Sequence, residues 1–264
     1  DIGQNISGFC RLKVKGNANT KIYIRYGELL KASGRLEQGN IDIYFKPIDK
    51  SETIQTDIFT LKGSKEKEVL MPEFTYHGFQ YVEIESSQPV ILEKSDLTAM
   101  FVHTNADRIG KFRCSNDLLN KIYDASLQSY LCNLHSIPTD CPQREKNGWT
   151  ADAFIASDVA FLNFDVIKVY EKWITDFIDN QNEEGEISGI VPSSGWGYGG
   201  KYGPAWNAAL FIIPDVIHTY YGDINGINNI YNSCKKYLDF LKYKENQEGL
   251  LTQGYGDWVT PNTK

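Results

Sequence analysis

The sequence predicts an antiparallel β-sandwich followed by an all-helical domain, with the change falling between residues 103 and 107. Three observations predict it. Apolar and polar side chains alternate through the first part, apolar residues recur at helical spacing through the second, and two long connections rich in Gly, Pro and Trp separate the helices.

In the first part, residues 21–26 (KIYIRY) and 79–84 (FQYVEI) alternate with the period of a half-buried strand. Residues 90–92 and 99–102 are short apolar runs bounded by polar or Pro-containing segments. Several short strands with turn signals between them read as an antiparallel sandwich. Residues 31–50 are polar and Gly-punctuated, and read as a long connection.

After Asn105 the period changes. Ser115 is placed to cap a helix running to about residue 133, with Leu118, Leu119, Ile122, Leu127 and Leu131 on one apolar face. Thr150 is placed to cap a second helix carrying Phe154, Ile155, Val159 and Phe161. Further helices are expected over 166–179, 205–220 and 227–243, so the predicted domains are 1–106 and 107–264.

Composition narrows the function classes. The 264 residues, 41% hydrophobic and 23% charged, suffice for two cores. A net charge of -7 and a pI near 5.2, with no clustered Lys/Arg face, argue against nucleic acid as a partner. No stretch approaches the ~18 apolar residues of a membrane span, so no membrane partner is expected. The five cysteines are odd in number and form no CxxC pair, which gives neither a disulfide framework nor a zinc knuckle. The four histidines show no HExxH spacing, and residues 195–200 (GWGYGG) lack the Lys-Ser/Thr of a phosphate loop. No cofactor and no metal are expected. The opening residues lack a signal peptide's basic and apolar regions and a starting Met, so the chain is expected to begin inside a longer parent, with compartment and oligomeric state open.

The chemistry concentrates in residues 140–152, DCPQREKNGWTAD. Pro138 and Pro142 exclude a regular helix, so Asp140, Arg144, Glu145 and Trp149 are expected on a loop running into the Thr150 helix, with Asp152 in its first turn. Gathered carboxylates raise one another's pKa, and a carboxyl kept protonated donates to a leaving oxygen; Arg144 and Lys146 pull the other way. The helix N-terminus favours an ionised Asp152, a hydroxyl acceptor. Trp149, Trp196, Trp206 and Trp258 offer flat faces suited to the C–H side of a sugar. By themselves the charged residues read equally as a solvated loop, and Trp206, at a helix start, reads more readily as core. His135, just before the loop, reads as an ordinary hydrogen-bonded histidine, and Glu183, Glu184 and Glu186 as a solvated acidic turn.

Residues 137–153, IPTDCPQREKNGWTADA, closely resemble the signature of glycoside hydrolase family 78, the bacterial α-L-rhamnosidases, which reads DCPQRE, a short spacer, then GWTGDA. Residues 1–14 (DIGQNISGFCRLKV) and 74–84 (FTYHGFQYVEI) resemble that family's sandwich domain, and GPAWNAALFIIP and YGDW its later barrel motifs. The resemblance implies a concanavalin-like, jelly-roll sandwich followed by the first part of an (α/α)6 six-hairpin barrel. It implies Glu145 as general acid, with Asp140, Arg144, Trp149 and Asp152 lining the rhamnose site and Trp206 and Trp258 enclosing the sugar. The implied reaction is inverting hydrolysis of terminal α-L-rhamnosyl residues in oligosaccharides or glycosides, with the general base beyond Lys264 and the fragment weakly active or inactive. Two positions depart from the pattern: Ala151 replaces the GWTGDA glycine, and Ala208 stands where the family often carries Asp. Rival readings are another (α/α)6-barrel glycosidase or phosphorylase, and a non-catalytic carbohydrate-binding module.

Overall fold

The computed structural model describes residues 1–42, 54–193, 195, 197–199 and 202–255. The chain forms two units, one of Asp1–His103 with Cys141–Lys146, the other of Thr104–Asp140 with Asn147–Lys264.

In the first unit, strand β1 (Ile6–Gly16) is the spine of a five-stranded antiparallel sheet. The second sheet is built on β2 (Lys21–Gly27). A short hairpin, β3 (Leu29–Leu30) with β4 (Leu36–Glu37), and a single turn, α1 (Gly39–Asp42), follow. Then come β5 (Thr56–Thr60), β6 (Glu68–Leu70), β7 (His77–Phe79), β8 (Tyr81–Ser86), β9 (Val90–Ile91) and β10 (Leu97–Phe101). β1 pairs with β10, β6, β7 and β9, while β2 lies between β5 and β8. Alternation does the sorting: Cys10, Leu12 and Val14 of β1 and Ile22, Ile24 and Tyr26 of β2 all point into one buried core with Leu61, Leu70 and Phe79. Each Leu, Val, Ile or Phe among them contributes about 1.5–3 kcal/mol by leaving water.

The second unit begins with β11 (Asp107–Arg108) and α2 (Asp117–Cys132). Asn116, rather than Ser115, caps α2, its side chain accepting the Leu118 and Leu119 amides. The expected apolar face of α2 divides: Leu127 is buried, but Leu118, Leu119 and Ile122 are exposed. A tight hairpin, β12 (Leu134–His135) with β13 (Ile137–Pro138), turns through Ser136 at φ 65°. The helix expected after Thr150 is two, α3 (Thr150–Ile155) and α4 (Ser157–Asn163), followed by β14 (Phe164–Asp165), which pairs with β11. The long helix α5 (Ile167–Asn180) buries Tyr170, Trp173, Ile174 and Phe177, an i, i+3, i+4, i+7 stripe. The fourth expected helix is also split, into α6 (Gly203–Asn207) and α7 (Ala209–Tyr221), with Ala208 at the junction. Last comes α8 (Asn225–Lys242). Among the described residues no helix is long and apolar enough to cross a membrane.

Pro214 lies inside α7 and has no N–H for the carbonyl of Leu210, four residues earlier. The Cys234 thiol of α8 donates to that oxygen at 3.6 Å, so a residue of the neighbouring helix supplies what the proline withholds.

Candidate functional site

Asp140 lies two residues past strand β13 and hydrogen-bonds to Asn147 in both directions. Its backbone N–H donates to Asn147 O at 3.0 Å, and its Oδ1 accepts the Asn147 N–H at 2.9 Å. Between them, Cys141–Lys146 leaves the helical unit and belongs to the sandwich unit. That hexapeptide closes on itself: Lys146 N donates to Cys141 O at 3.2 Å and Glu145 N to Cys141 Sγ at 3.4 Å. Glu145 is exposed in this turn.

From Asn147 the chain enters α3 alongside the long connection before α6. Val191 N donates to Gly148 O at 2.9 Å, Thr150 N donates to Gly189 O at 3.0 Å, and Trp149 bridges to Ile190. Thr150 is the first helical residue, not the cap. Its hydroxyl bonds instead to the carbonyls of Gly189 and Trp206, tying the start of α3 to α6. The buried Trp173 indole donates to Val191 O at 2.8 Å, anchoring the connection to the core.

These constraints leave a cleft of about 1150 Å³ in the helical unit, whose lining includes Asp140, Asp152, Trp206, Pro138, Tyr130 and Tyr255. Of the residues singled out from sequence, it thus gathers Asp140, Asp152 and Trp206. Trp149 is half-buried and packs on Tyr202, at 5.5 Å between ring centres, rather than lining the cleft. Arg144 lines a smaller cleft of about 430 Å³ in the sandwich unit, with Asp57, His77, Gln143 and Lys146. Trp258 and Trp196 lie outside the described residues. His135 Nε2 donates to Cys132 O at 3.1 Å, as an ordinary structural histidine does.

Tyr255 was not singled out, although it begins the YGDW motif. It meets Trp206 edge-on at 5.6 Å and Tyr202 at 5.1 Å, completing an aromatic corner beside the two carboxylates. Carboxylates that accept hydroxyls next to aromatic faces suit a carbohydrate. Lys146, half-buried in the sandwich unit, has its pKa pushed down by burial, with Asp57 and Cys141 opposing.

Comparison with known proteins points the same way. Residues 1–103 match the bacterial α-L-rhamnosidase concanavalin-like domain, and residues 107–264 match the bacterial α-L-rhamnosidase six-hairpin glycosidase domain. An α-L-rhamnosidase of Streptomyces avermitilis is 31% identical over 98% of the chain and 24% of its own length; one of Formosa agariphila is 30% identical over 99% and 28%. The solved α-L-rhamnosidase of Dictyoglomus thermophilum superposes with a TM-score of 0.88 at 38% identity, covering 100% of this chain and 28% of that one. The Streptomyces avermitilis enzyme complexed with L-rhamnose gives 0.85 at 30% identity, covering 98% and 24%. The chain therefore spans about a quarter of the length of these relatives. With an antiparallel sandwich, a helical unit and both family domains matched in order, this chain belongs to the bacterial α-L-rhamnosidases.

Proposed function

We propose that the chain takes part in inverting hydrolysis of terminal α-L-rhamnosyl units, residues 1–106 forming the sandwich domain and 107–264 the N-terminal portion of the barrel. Glu145 is the general acid. Its proton passes to the glycosidic oxygen as the bond from that oxygen to the anomeric carbon breaks. Water attacks the same carbon from the opposite face and loses its proton to a second carboxylate, which is not assigned to any residue of this chain. Inversion requires that water to fit between the two carboxyls, about 6.5–9.5 Å apart.

Asp140 and Asp152 accept sugar hydroxyls and Trp206 covers the ring; the family likeness assigns Arg144, Trp149 and Trp258 to the same sugar, although here Trp149 packs on Tyr202 and Arg144 lines a separate cleft of the sandwich unit. The observation that carries the reading is the convergence of Asp140, Asp152 and Trp206 on one cleft, in a chain whose relatives include an enzyme complexed with L-rhamnose. Without the family likeness, carboxylates beside tryptophan indicate a sugar but not which one.

Two measurements test it. Titration calorimetry of the 264-residue chain with L-rhamnose should show binding that Asp152→Ala weakens; binding indifferent to Asp140 and Asp152 would count against these roles. In a polypeptide carrying this chain with a complete barrel, Glu145→Gln should lose about 10²–10⁴ in rate on aryl rhamnosides with poor leaving groups. Undiminished turnover of those substrates would sink the acid assignment.

A further inference from the structure

The sandwich segment FTYHGF has no part in the reading above, yet the hexapeptide bearing Glu145 is packed directly on it within the same unit. Gly78 is where they meet. A Cβ at that position would stand 2.9 Å from Gln143 Cβ, 2.9 Å from Pro142 Cγ and 3.0 Å from Gln143 N. Gly78 is not among the positive-φ glycines, so the requirement is for space, not for an unusual backbone. The Gly78 peptide is held from both sides by the buried Gln55, whose Nε2 donates to Gly78 O at 2.6 Å and whose Oε1 accepts Gly78 N at 3.2 Å.

The far end of the hexapeptide is held as well. Lys146 Nζ donates to the Tyr76 carbonyl and lies 4.2 Å from the centre of the Tyr76 ring. Lys146 has φ 54°, a left-handed backbone that a non-glycine residue keeps only when its surroundings impose it. The next residue of the platform, His77, is fixed in turn: its ring stacks on Tyr26 at 4.1 Å and its Nε2 lies 2.9 Å from Asp57 Oδ1, while Asp57 Oδ2 accepts the Tyr26 hydroxyl at 2.7 Å.

We propose that Tyr76 and Gly78 are positioning residues for Glu145, the sandwich holding the general-acid loop through Lys146 at one end and Pro142–Gln143 at the other. The inference rests on the assignment of Glu145 as the acid. Tyr76→Leu removes the ring face but leaves the carbonyl, and Tyr76→Phe keeps both. Lys146→Met removes the ammonium, and Gly78→Ala forces Pro142 and Gln143 away.

A displaced acid hurts leaving groups that need protonation and spares those that do not. In a polypeptide carrying this chain with a complete barrel, Tyr76→Leu and Lys146→Met are expected to lower kcat/KM about tenfold or more on phenyl and alkyl rhamnosides. Dinitrophenyl rhamnoside should fall less than about threefold, and Tyr76→Phe should restore the native pattern. Equal losses on all substrates, or none, would overturn the proposal. Glu145→Gln, measured alongside, separates the two claims: if it shows the leaving-group signature and Tyr76→Leu and Lys146→Met do not, the acid stands and the positioning role falls; if Glu145→Gln itself lacks the signature, the acid assignment falls. Hydrogen exchange in the 264-residue chain gives a readout independent of catalysis and of whether Gly78→Ala folds. The Glu145 and Lys146 amides should exchange faster in Tyr76→Leu and at the native rate in Tyr76→Phe; unchanged exchange in Tyr76→Leu would also overturn the proposal.

Discussion

Asp140 and Asn147 are joined by two hydrogen bonds, one between their backbones at 3.0 Å and one from the Asn147 amide to the Asp140 carboxylate at 2.9 Å. Seven residues apart, they close the loop whose middle belongs to the sandwich unit. Asp140 therefore has two tasks, bracing the loop and facing the cleft.

Two substitutions separate those tasks. Asp140→Asn retains an acceptor for the Asn147 amide but loses the charge, whereas Asp140→Ala loses both. Exchange at the Asn147 amide should stay native in the first and quicken about fivefold in the second, the worth of a bond of ~1 kcal/mol. L-rhamnose affinity should fall in both by about 1.5–3 kcal/mol, the range for a hydrogen bond to a charged group. Calorimetry showing native affinity in Asp140→Asn would remove Asp140 from the sugar site.

The Cys234 thiol and Pro214 form a second testable pair. Cys234→Ala leaves Leu210 O without the thiol that Pro214 makes necessary. In a Pro214→Ala background the helix supplies its own donor, so removing the thiol should cost less by about 0.5–1 kcal/mol. The loss of thiol volume is common to both backgrounds and cancels in the comparison. Urea unfolding of the four proteins gives the coupling, and equal costs in the two backgrounds would show that the thiol does not serve this carbonyl.

Alkaline pH should destabilise the chain. Burial, and then the Asp57 charge, push the Cys10 thiol from 9.0 up to about 12; burial likewise lifts Cys234 from 9.0 to about 11 and, aided by a hydrogen bond to Asp165, Tyr221 from 10.0 to about 12. Tyr26 is raised as well, first by burial and then by Asp57. A raised pKa means that the folded state holds its proton more tightly than the unfolded chain does. The resulting stability is complete below pH 9 and is lost as pH climbs from 9 towards 12. Urea midpoints should be flat from pH 7 to about 8.5 and then fall, and Cys10→Ala should make the fall shallower. A midpoint level to pH 11 would contradict the burial of these groups.

Much of this was legible in the sequence because the relevant forces are local. Period-2 alternation in 21–26 set the buried face of β2, and the i, i+3, i+4, i+7 stripe of α5 holds its core residues. Pro138 and Pro142 kept the signature out of a helix, as expected. What stayed hidden depends on residues far apart in the chain. Thr150 looks like a cap, but carbonyls at Gly189 and Trp206 claim its hydroxyl. The breaks at Ala156 and Ala208 fall on good helix formers and carry no local signal. Leu118, Leu119 and Ile122 have a helical period, yet nothing among the described residues buries them. Gly78 gives no hint in sequence that Pro142 and Gln143 need its missing side chain.

Trp173 and Trp206 offer a final contrast, because both touch the frame of the site but from opposite sides. Trp173 is fully buried, and its indole holds Val191 O at 2.8 Å while the Val191 amide holds Gly148 just ahead of α3. Trp173→Phe preserves most of the ring but strands the buried carbonyl, so it should cost about 1–3 kcal/mol of stability. Trp206 is half-buried on the cleft, with Tyr255 against its ring. Trp206→Ala should change the urea midpoint little and weaken L-rhamnose binding by about 1 kcal/mol, the scale of one aromatic face. The two variants should therefore split, one losing stability and the other affinity. If Trp206→Ala instead unfolds the chain and leaves residual binding native, Trp206 belongs to the core and the aromatic wall of the sugar site lies elsewhere.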